Sequence, residues 1–402
     1  MIYAKCSPTE NILLNLIFIQ SSYLVSITIL RTCFSEIDAT AISQSTIRSS
    51  HVVKDHQNSA VNLTAGTAMV KRHLMNRTGI DIIPFYRYNS KVAVKAKSIS
   101  IATHMSTEES VRFQRLLDMT SRWDGYISVA IYVKQYESEE ENLIKIINSF
   151  LDVYSNFFED KVAIHLVIDR RKSRDSEFYP INFLRNIAME NTMTDLVMNL
   201  DIDFIPSLNS HNLLQSHMSD LKNETKVVMI LPSFERSLAR DEDWKSITSS
   251  ELPSSKIQLM NEIKKNYRKT KAEKKEVYSP FHLSLFNEGH GPTDFPRWYN
   301  ASDVYMVRYI SDFEPYYLVR KTNNLPQFWE HFTGFGKNKL SWVEEMAVAG
   351  YKFNVNPDAF LVHLNLSKRK KARPRIIAEY FESFQLYLDV TYPTRGFKRI
   401  IS

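Results

Sequence analysis

Apolar and polar positions follow two regimes along the chain. From residue 35 to about 97 the sequence is rich in Ser, Thr, Asn and Ala without sustained periodicity, which predicts a stem or linker. After about Ser98 regular patterns begin. Residues 108–119 place Val111, Leu116, Leu117 and Met119 among charges and read as a helix, and 127–133 is a β-branched run entered from Asp124-Gly125. Residues 140–154 carry Leu143, Ile147, Phe150, Leu151 and Tyr154 at helical spacing, and 162–168 returns to a strand. Strand, helix, strand implies a parallel pair with a right-handed crossover. The pattern repeats with a helix over 182–190 and strands over 195–200 and 226–231. The expectation is an α/β fold with a nucleotide-binding half.

The strand over 195–200 runs into Asp201-Ile202-Asp203 and stops at Pro206. In an extended segment residues i and i+2 share a side, so Asp201 and Asp203 would offer two hard oxygen ligands to one divalent ion. The triplet alone is a chance-level pattern, and Asp241-Glu242-Asp243 repeats it in a wholly polar stretch that reads as solvated loop. Strand context separates the two.

With 402 residues, 44% hydrophobic and 12% aromatic, the chain can bury a large core, which excludes disorder of the whole. Residues 12–30 form an apolar stretch near membrane-spanning length between Lys5 and Arg31, weakened by Asn15, Gln20 and several Ser and Thr. It reads as a signal anchor, as a cleaved signal peptide with Ala39-Thr40-Ala41 downstream, or as a buried core helix. The first two deliver the remainder to the secretory lumen. Asn-x-Ser/Thr sequons at Asn62, Asn76, Asn223, Asn300 and Asn365 agree with that compartment. The two cysteines, Cys6 and Cys33, flank the apolar stretch, so thiol catalysis and cysteine-ligated zinc are not expected in the folded part.

The formal charge of +6 would permit a polyanionic partner, with basic clusters at 264–265, 268–275 and 368–375. Solvated faces explain such runs more often, and no nucleic-acid-binding module or interleaved aromatic pattern accompanies them. Between Asp294 and Tyr317 aromatic residues crowd the chain, which suits either a core or the floor of a sugar site. Gly334-Phe335-Gly336 opens a turn, Asn338 is expected to cap a helix over 339–349 that Gly350 ends, and 359–364 is a short strand carrying His363.

Several segments in order resemble glycosyltransferase family 49, the group with β-1,4-glucuronyltransferase and the LARGE C-terminal domain, over roughly 98–395. They are Arg122-Trp123-Asp124-Gly125-Tyr126, Phe178-Tyr179-Pro180-Ile181-Asn182 through Ala188, and the run from Asp201 to Ser207. Gly289-His290-Gly291-Pro292-Thr293-Asp294 with Trp298, Phe313-Glu314-Pro315-Tyr316, Gly334 to Lys339 with Glu345 and Gly350, and Phe360-Leu361-Val362-His363 complete the set. Lys337 departs from the aromatic residue usual in the family, and the acidic loop near Asp241 looks particular to this chain.

The resemblance implies a GT-A fold, a UDP-sugar donor and Mn²⁺ (or Mg²⁺) against the diphosphate. Asp201, Asp203 and His363 would be the metal ligands, a set that suits Mn²⁺ better than Ca²⁺; a lone strand-end histidine is otherwise more often structural. Arg185 and Asn186 would meet the nucleotide together with Asp201, although Arg185 reads equally as a surface residue with an i,i+4 partner. Lys368, with Arg369 and Lys370, would balance the departing diphosphate. The acceptor side would comprise His290, Thr293, Asp294, Trp298, Glu314 and Asn338, with Glu314 alternatively only anchoring a turn.

Family members of this kind invert the anomeric centre, so a carboxylate must take the acceptor proton. Glu345 is the candidate, because Ser341, Trp342 and Glu345 share a helix face distinct from the stripe of Leu340, Val343, Met346 and Ala347. Glu344 is its structural rival.

The expected organisation is a cytosolic tail (1–11), an anchor or signal peptide (12–30), a stem (31–97), a catalytic domain (98–395) and a tail (396–402). The expected protein is a Golgi, single-pass type II glycosyltransferase with a luminal domain, or a secreted one after cleavage. It would move glucuronic acid, or else xylose, galactose or N-acetylglucosamine, from a UDP-sugar to a glycan on a glycoprotein. A non-catalytic glycan-binding relative is the contrasting reading. Further partners are a membrane at the N-terminus and, left open, a second copy in a homodimer.

Overall fold

Four strands buried along almost their whole length form the centre of the fold: β2 (Ile99–Ser106), β3 (Tyr126–Lys134), β4 (Val162–Asp169) and β5 (Leu196–Asn199). Every residue of β2, β4 and β5 is buried, and β3 is open only at Lys134, as expected of parallel strands covered on both faces. In the computed structural model the described residues are 75, 77–88, 98–107, 110–134, 140–158, 160–171, 178–220, 224–237, 246–267, 278–364 and 374–393. All belong to one compact unit, His73–Ser402. Outside them lie the expected tail, anchor and most of the stem, both cysteines, sequons Asn62, Asn76, Asn223 and Asn365, the Asp241 loop, Lys368 with its basic neighbours, and the C-terminal tail. No described helix is long and apolar enough to cross a membrane.

The nine-stranded main sheet runs β1-β4-β3-β2-β5-β11-β7-β12-β10. Its remaining members are β1 (Ile80–Arg87), β7 (Val227–Leu231), β10 (Tyr305–Val307), β11 (Tyr316–Arg320) and β12 (Lys352–Val355). The neighbours from β4 to β5 are parallel, whereas β11 inserts antiparallel between β5 and β7. Helices α1 (Val111–Arg122), α2 (Glu140–Val153) and α3 (Ile181–Glu190) make the crossovers. Strand order reverses between β2 and β5, so the crevice beyond their carboxyl ends is a topological switch point, where ligands of α/β sheets bind.

β1 lies inside the segment expected to be stem. It pairs antiparallel with β4 from Ile80↔Asp169 onward, so the sheet reaches back past the expected boundary at 98. Only Ile80 of this strand is buried, while Ile83 and Phe85 point outward. Backbone pairing rather than an apolar face makes it a strand, which is why no alternation marks it.

A second sheet, β6-β13-β8-β9, joins β6 (Phe204–Pro206), β13 (Leu361–His363), β8 (Ser233–Arg236) and β9 (Tyr278–Pro280). Its register opposes His363 to Phe204 and to Glu235. The chain leaves the main sheet at Asn199 and enters the second at Phe204, so both aspartates fall at the junction of the sheets.

Helix α4 is Ser210–Asp220, α5 is Lys256–Tyr267, α6 is Asn338–Val348 and α7 is Pro374–Thr391. Lys339, Ser341, Trp342, Val343, Glu345, Met346 and Val348 of α6 are all buried, so the helix is enclosed nearly all round and the two-face expectation fails. Trp342 stacks on Phe328 at 4.1 Å and donates from Nε1 to the Pro326 carbonyl. On another side, Phe384 and Leu388 of α7 pack with Trp329, Phe332 and Val348.

Candidate functional site

The strand that feeds the aspartates ends two residues before Asp201. Asp201, Ile202 and Asp203 form a turn in which Phe204 N donates to Asp201 O at 3.1 Å. The expectation of an extended i, i+2 pair is therefore corrected, and the two carboxylates have different surroundings.

Asp201 faces the switch point. Its Oδ1 accepts from Arg185 Nη2 at 2.8 Å and lies 3.4 Å from His104 Nε2, at the carboxyl end of β2. Its Oδ2 accepts from the Tyr316 hydroxyl at 2.8 Å and lies 3.9 Å from Lys339 Nζ. Burial works to raise its pKa, but Arg185, with His104 and Lys339, holds the carboxyl well below the usual range. Arg185 is 1% exposed and is itself aimed by Asn338 and Asn182, which accept from Nη1 at 3.0 and 3.1 Å. Asn338 also donates to Gly334 O at 3.0 Å and is the first residue of α6 rather than its cap, a place taken by Lys337.

Asp203 faces the second sheet. Its Oδ2 lies 3.5 Å from His363 Nε2, and Leu364 N donates to Asp203 O at 2.9 Å, so the register that opposes His363 to Phe204 delivers the imidazole. The other ring nitrogen, Nδ1, is buried without a hydrogen bond, with Glu235 Oε1 4.0 Å away. A carboxylate 3.5 Å from an imidazole Nε2 is a donor pair that fits a divalent ion such as Mn²⁺, with Glu235 4.0 Å from Nδ1 on the far side of the ring. No third His, Cys, Asp or Glu among the described residues completes a cage, so the remaining ligands would be donor oxygens and water.

Lys339 and Tyr316 link the two aspartates. The ammonium sits 3.4 Å over the Tyr316 ring, Tyr316 packs on Phe204 at 3.9 Å, and Phe204 packs on His363 at 4.7 Å. Burial lowers the Lys339 pKa against the opposing pull of Glu314 and Asp201, and burial with those carboxylates and Asp203 pushes the Tyr316 hydroxyl well up. Glu314 Oε1 lies 3.5 Å from Lys339, bringing this carboxylate to the cluster's edge.

Other expected residues are placed elsewhere. Asn186 spends its amide on the fold: Nδ2 donates to Phe328 O and Glu330 Oε1, and Oδ1 accepts from Phe328 N. That leaves it nothing for a nucleotide. Trp298 is fully buried and donates to Asn356 O at 2.9 Å, a core residue rather than an acceptor platform. Thr293 is buried, its carbonyl accepting from Tyr305, and Asp294 caps a short helix by accepting from Arg297 N. Asp294 also lines a cavity of about 430 Å³ with Gly291, Arg297 and Arg308, whose lining includes none of the cluster residues. His290 is packed edge-on against Phe281, and burial brings its pKa down to about 3, so it is neutral near pH 7.

Glu345 does not join the cluster. It is 2% exposed, and its Oε1 accepts from Tyr387 at 2.9 Å and Tyr392 at 3.1 Å, at the C-terminal end of α7. Burial raises its pKa to about 7. Sealed beneath two tyrosines, this carboxylate has no route to an acceptor hydroxyl in this conformation, which corrects the expectation of a base there.

Sequence reasoning missed His104, Tyr179 and Glu235. Tyr179 bonds His104 Nδ1 at 2.9 Å and so sets the ring against Asp201. The signal for His104 was positional, a polar residue near the end of a strand beside the switch point. Glu235 carries no local signal.

The structure thus brings an anchored aspartate to a switch-point crevice, with an aspartate-histidine pair beside it, and the family follows from the sequence. The model of the family described as "Glycosyl-transferase for dystroglycan", family 49, matches residues 98–178 and 170–386, and the chain belongs to this family. Among its relatives, human "Xylosyl- and glucuronyltransferase LARGE1" is 30% identical over 282 residues, 70% of this chain and 33% of that protein. "Glycosyltransferase-like protein gnt14" of Dictyostelium discoideum is 28% identical over 298 residues, 73% of this chain and 41% of that protein. The match thus spans about a third of the LARGE1 relative, 33%. Among solved structures, that of GalNAc-T7 with UDP, GalNAc and Mn²⁺ covers 74% of this chain and 50% of its own at 12% identity and a TM-score of 0.40, a weak likeness.

Proposed function

We propose that the chain is a metal-dependent, inverting glycosyltransferase of GT-A type that moves a sugar from a UDP-sugar to a hydroxyl of a glycan on a glycoprotein. The observation that carries this reading is the pairing of Asp203 with His363, brought from a distant part of the sequence, at the sheet junction beside the anchored Asp201 of the switch-point crevice. Asp203 and His363 would hold Mn²⁺ or Mg²⁺, which when bound neutralises charge on the leaving diphosphate. Asp201, fixed by Arg185 and Tyr316, would shape the nucleotide side of the crevice. Lys339 and Arg185 add fixed positive charge beside the position proposed for the diphosphate.

Glucuronic acid is the proposed sugar and xylose the next, since names of the relatives carry both transfers. The apolar segment 12–30 and the sequons support a luminal, Golgi-anchored protein. The test is a panel of UDP-sugars with Mn²⁺, scored for UDP release with and without candidate glycans. UDP release with one donor, abolished in Asp203→Ala and by chelation, is the expected result. Mn²⁺-independent UDP binding that is equal in the wild type and Asp203→Ala would overturn the metal site.

A further inference from the structure

With Glu345 sealed, inverting transfer needs a base from elsewhere, and the carboxylates around the crevice differ in what they have free. Asp201 has both oxygens occupied, by Arg185 and by Tyr316. Asp203 is committed beside His363. Glu235 lies 4.0 Å from both His363 Nδ1 and His282 Nε2, behind the imidazole rather than before it. Glu330 is fully buried and accepts from Met75 N, Arg77 and Asn186. Glu314 remains. Its side chain is 27% exposed, and Lys339 is its only charged partner among the described residues.

Glu314 is also held where it stands. Its N–H donates to Gly289 O at 2.8 Å, Pro315 restricts its backbone, and Tyr316, two residues on, is pinned to Asp201. Lys339, only 5% exposed, lies 3.5 Å from Glu314 and 3.9 Å from Asp201, a single cation shared between the nucleotide side and the open side of the crevice. A base must reach the proton it removes and be fixed while doing so, and Glu314 alone among these carboxylates meets both conditions.

We propose that Glu314 is the base that takes the acceptor proton, oriented for that task by Lys339. The inference rests on the glycosyl-transfer reading above. In the step, the acceptor oxygen bonds to the anomeric carbon while the bond from that carbon to the diphosphate breaks. The electron pair leaves on the nucleoside diphosphate, and the hydroxyl proton ends on Glu314. Glu314 is the catalytic residue in this scheme and Lys339 a positioning residue.

The test uses the full chain with the donor that supports turnover and compares wild type with Glu314→Gln, which keeps the shape and can still accept from Lys339. Expected is a fall in kcat of about 100-fold or more, with donor KM and Mn²⁺-dependent UDP binding within about twofold of wild type. Azide, an anionic acceptor with no proton to lose, should be glycosylated at similar rates by both proteins. Retention of kcat by Glu314→Gln, an effect confined to acceptor KM, or equal loss with azide would each overturn the assignment while leaving glycosyl transfer standing. Wild type that releases no UDP from any donor, and binds none with Mn²⁺, would overturn both readings.

Discussion

Arg185 and Asp201 form a 2.8 Å ion pair in which the guanidinium is 1% exposed and the carboxylate 24%. The arginine has no other charged partner of opposite sign among its bonds, since Asn182 and Asn338 supply only neutral oxygens. Breaking a buried pair by removing one member leaves the other charge uncompensated. Asp201→Asn should therefore destabilise the metal-free protein by roughly 2–4 kcal/mol, tempered by the partial exposure of the carboxylate. Asp203→Asn removes a carboxylate that lies beside His363 at 3.5 Å and is 23% exposed, and it should cost less than Asp201→Asn. Urea unfolding of both variants checks the difference. Equal destabilisation would contradict the division of labour between the two aspartates.

Gly125 sits where two strands enter the sheet. A Cβ there would come within 2.3 Å of Ile99 O, 2.6 Å of His211 Cδ2 and 2.8 Å of Trp123 Nε1. The first contact is backbone and the others belong to buried rings, so relief would require β2 and β3 to shift. Gly125→Ala is expected to cost about 3 kcal/mol, at the upper end for overpacking. Because β2 also carries His104, the variant should bind UDP more weakly as well. A denaturation midpoint unchanged from wild type would refute the close packing.

The parallel half was legible because its strands are β-branched runs and α2 buries Leu143, Ile147, Phe150 and Leu151 at the spacing read from the sequence. β2 was not legible. Every residue is buried, yet Ser100, Thr103, His104 and Ser106 interrupt the apolar pattern, and their partners come from remote elements, as with Thr194 to Ser100 at 2.7 Å. The site divides the same way. Asp201 and Asp203 stood at the end of a readable strand, but their inequality arises from a turn and from which sheet each one faces. Asn186 looked like a ligand-side polar residue because nothing local reveals that Phe328 and Glu330, over a hundred residues on, consume its amide. Glu345 failed for a related reason: α7, whose Tyr387 covers it together with Tyr392 just past the helix end, was not foreseen behind the basic run.

That covered carboxylate gives a pH signature in stability. Burial raises Glu345 from the ordinary 4.5 to about 7 in the folded state, while the hydrogen bonds from Tyr387 and Tyr392 pull the other way. An acid with a raised folded pKa favours folding when protonated, so its contribution is fully present below about pH 4.5 and is lost as pH rises through about 7. The two tyrosines that face it do not titrate in that interval. Tyr387 and Tyr392 are themselves pushed above the usual tyrosine range, chiefly by burial and then by Glu345, and Glu344 is engaged separately by Gln385. Buried His165 and His290, lowered by burial to about 4 and about 3, act with the opposite sign, losing stability as pH falls below their unfolded value. Comparing wild type with Glu345→Gln cancels those histidine terms. The amide can still accept from both tyrosines and does not ionise, so the variant should gain on wild type as pH rises from 4.5 to 7, by on the order of 3 kcal/mol at pH 8. Parallel stability curves for the two proteins over that range would show that Glu345 stays ionised throughout, and that α7 does not seal it.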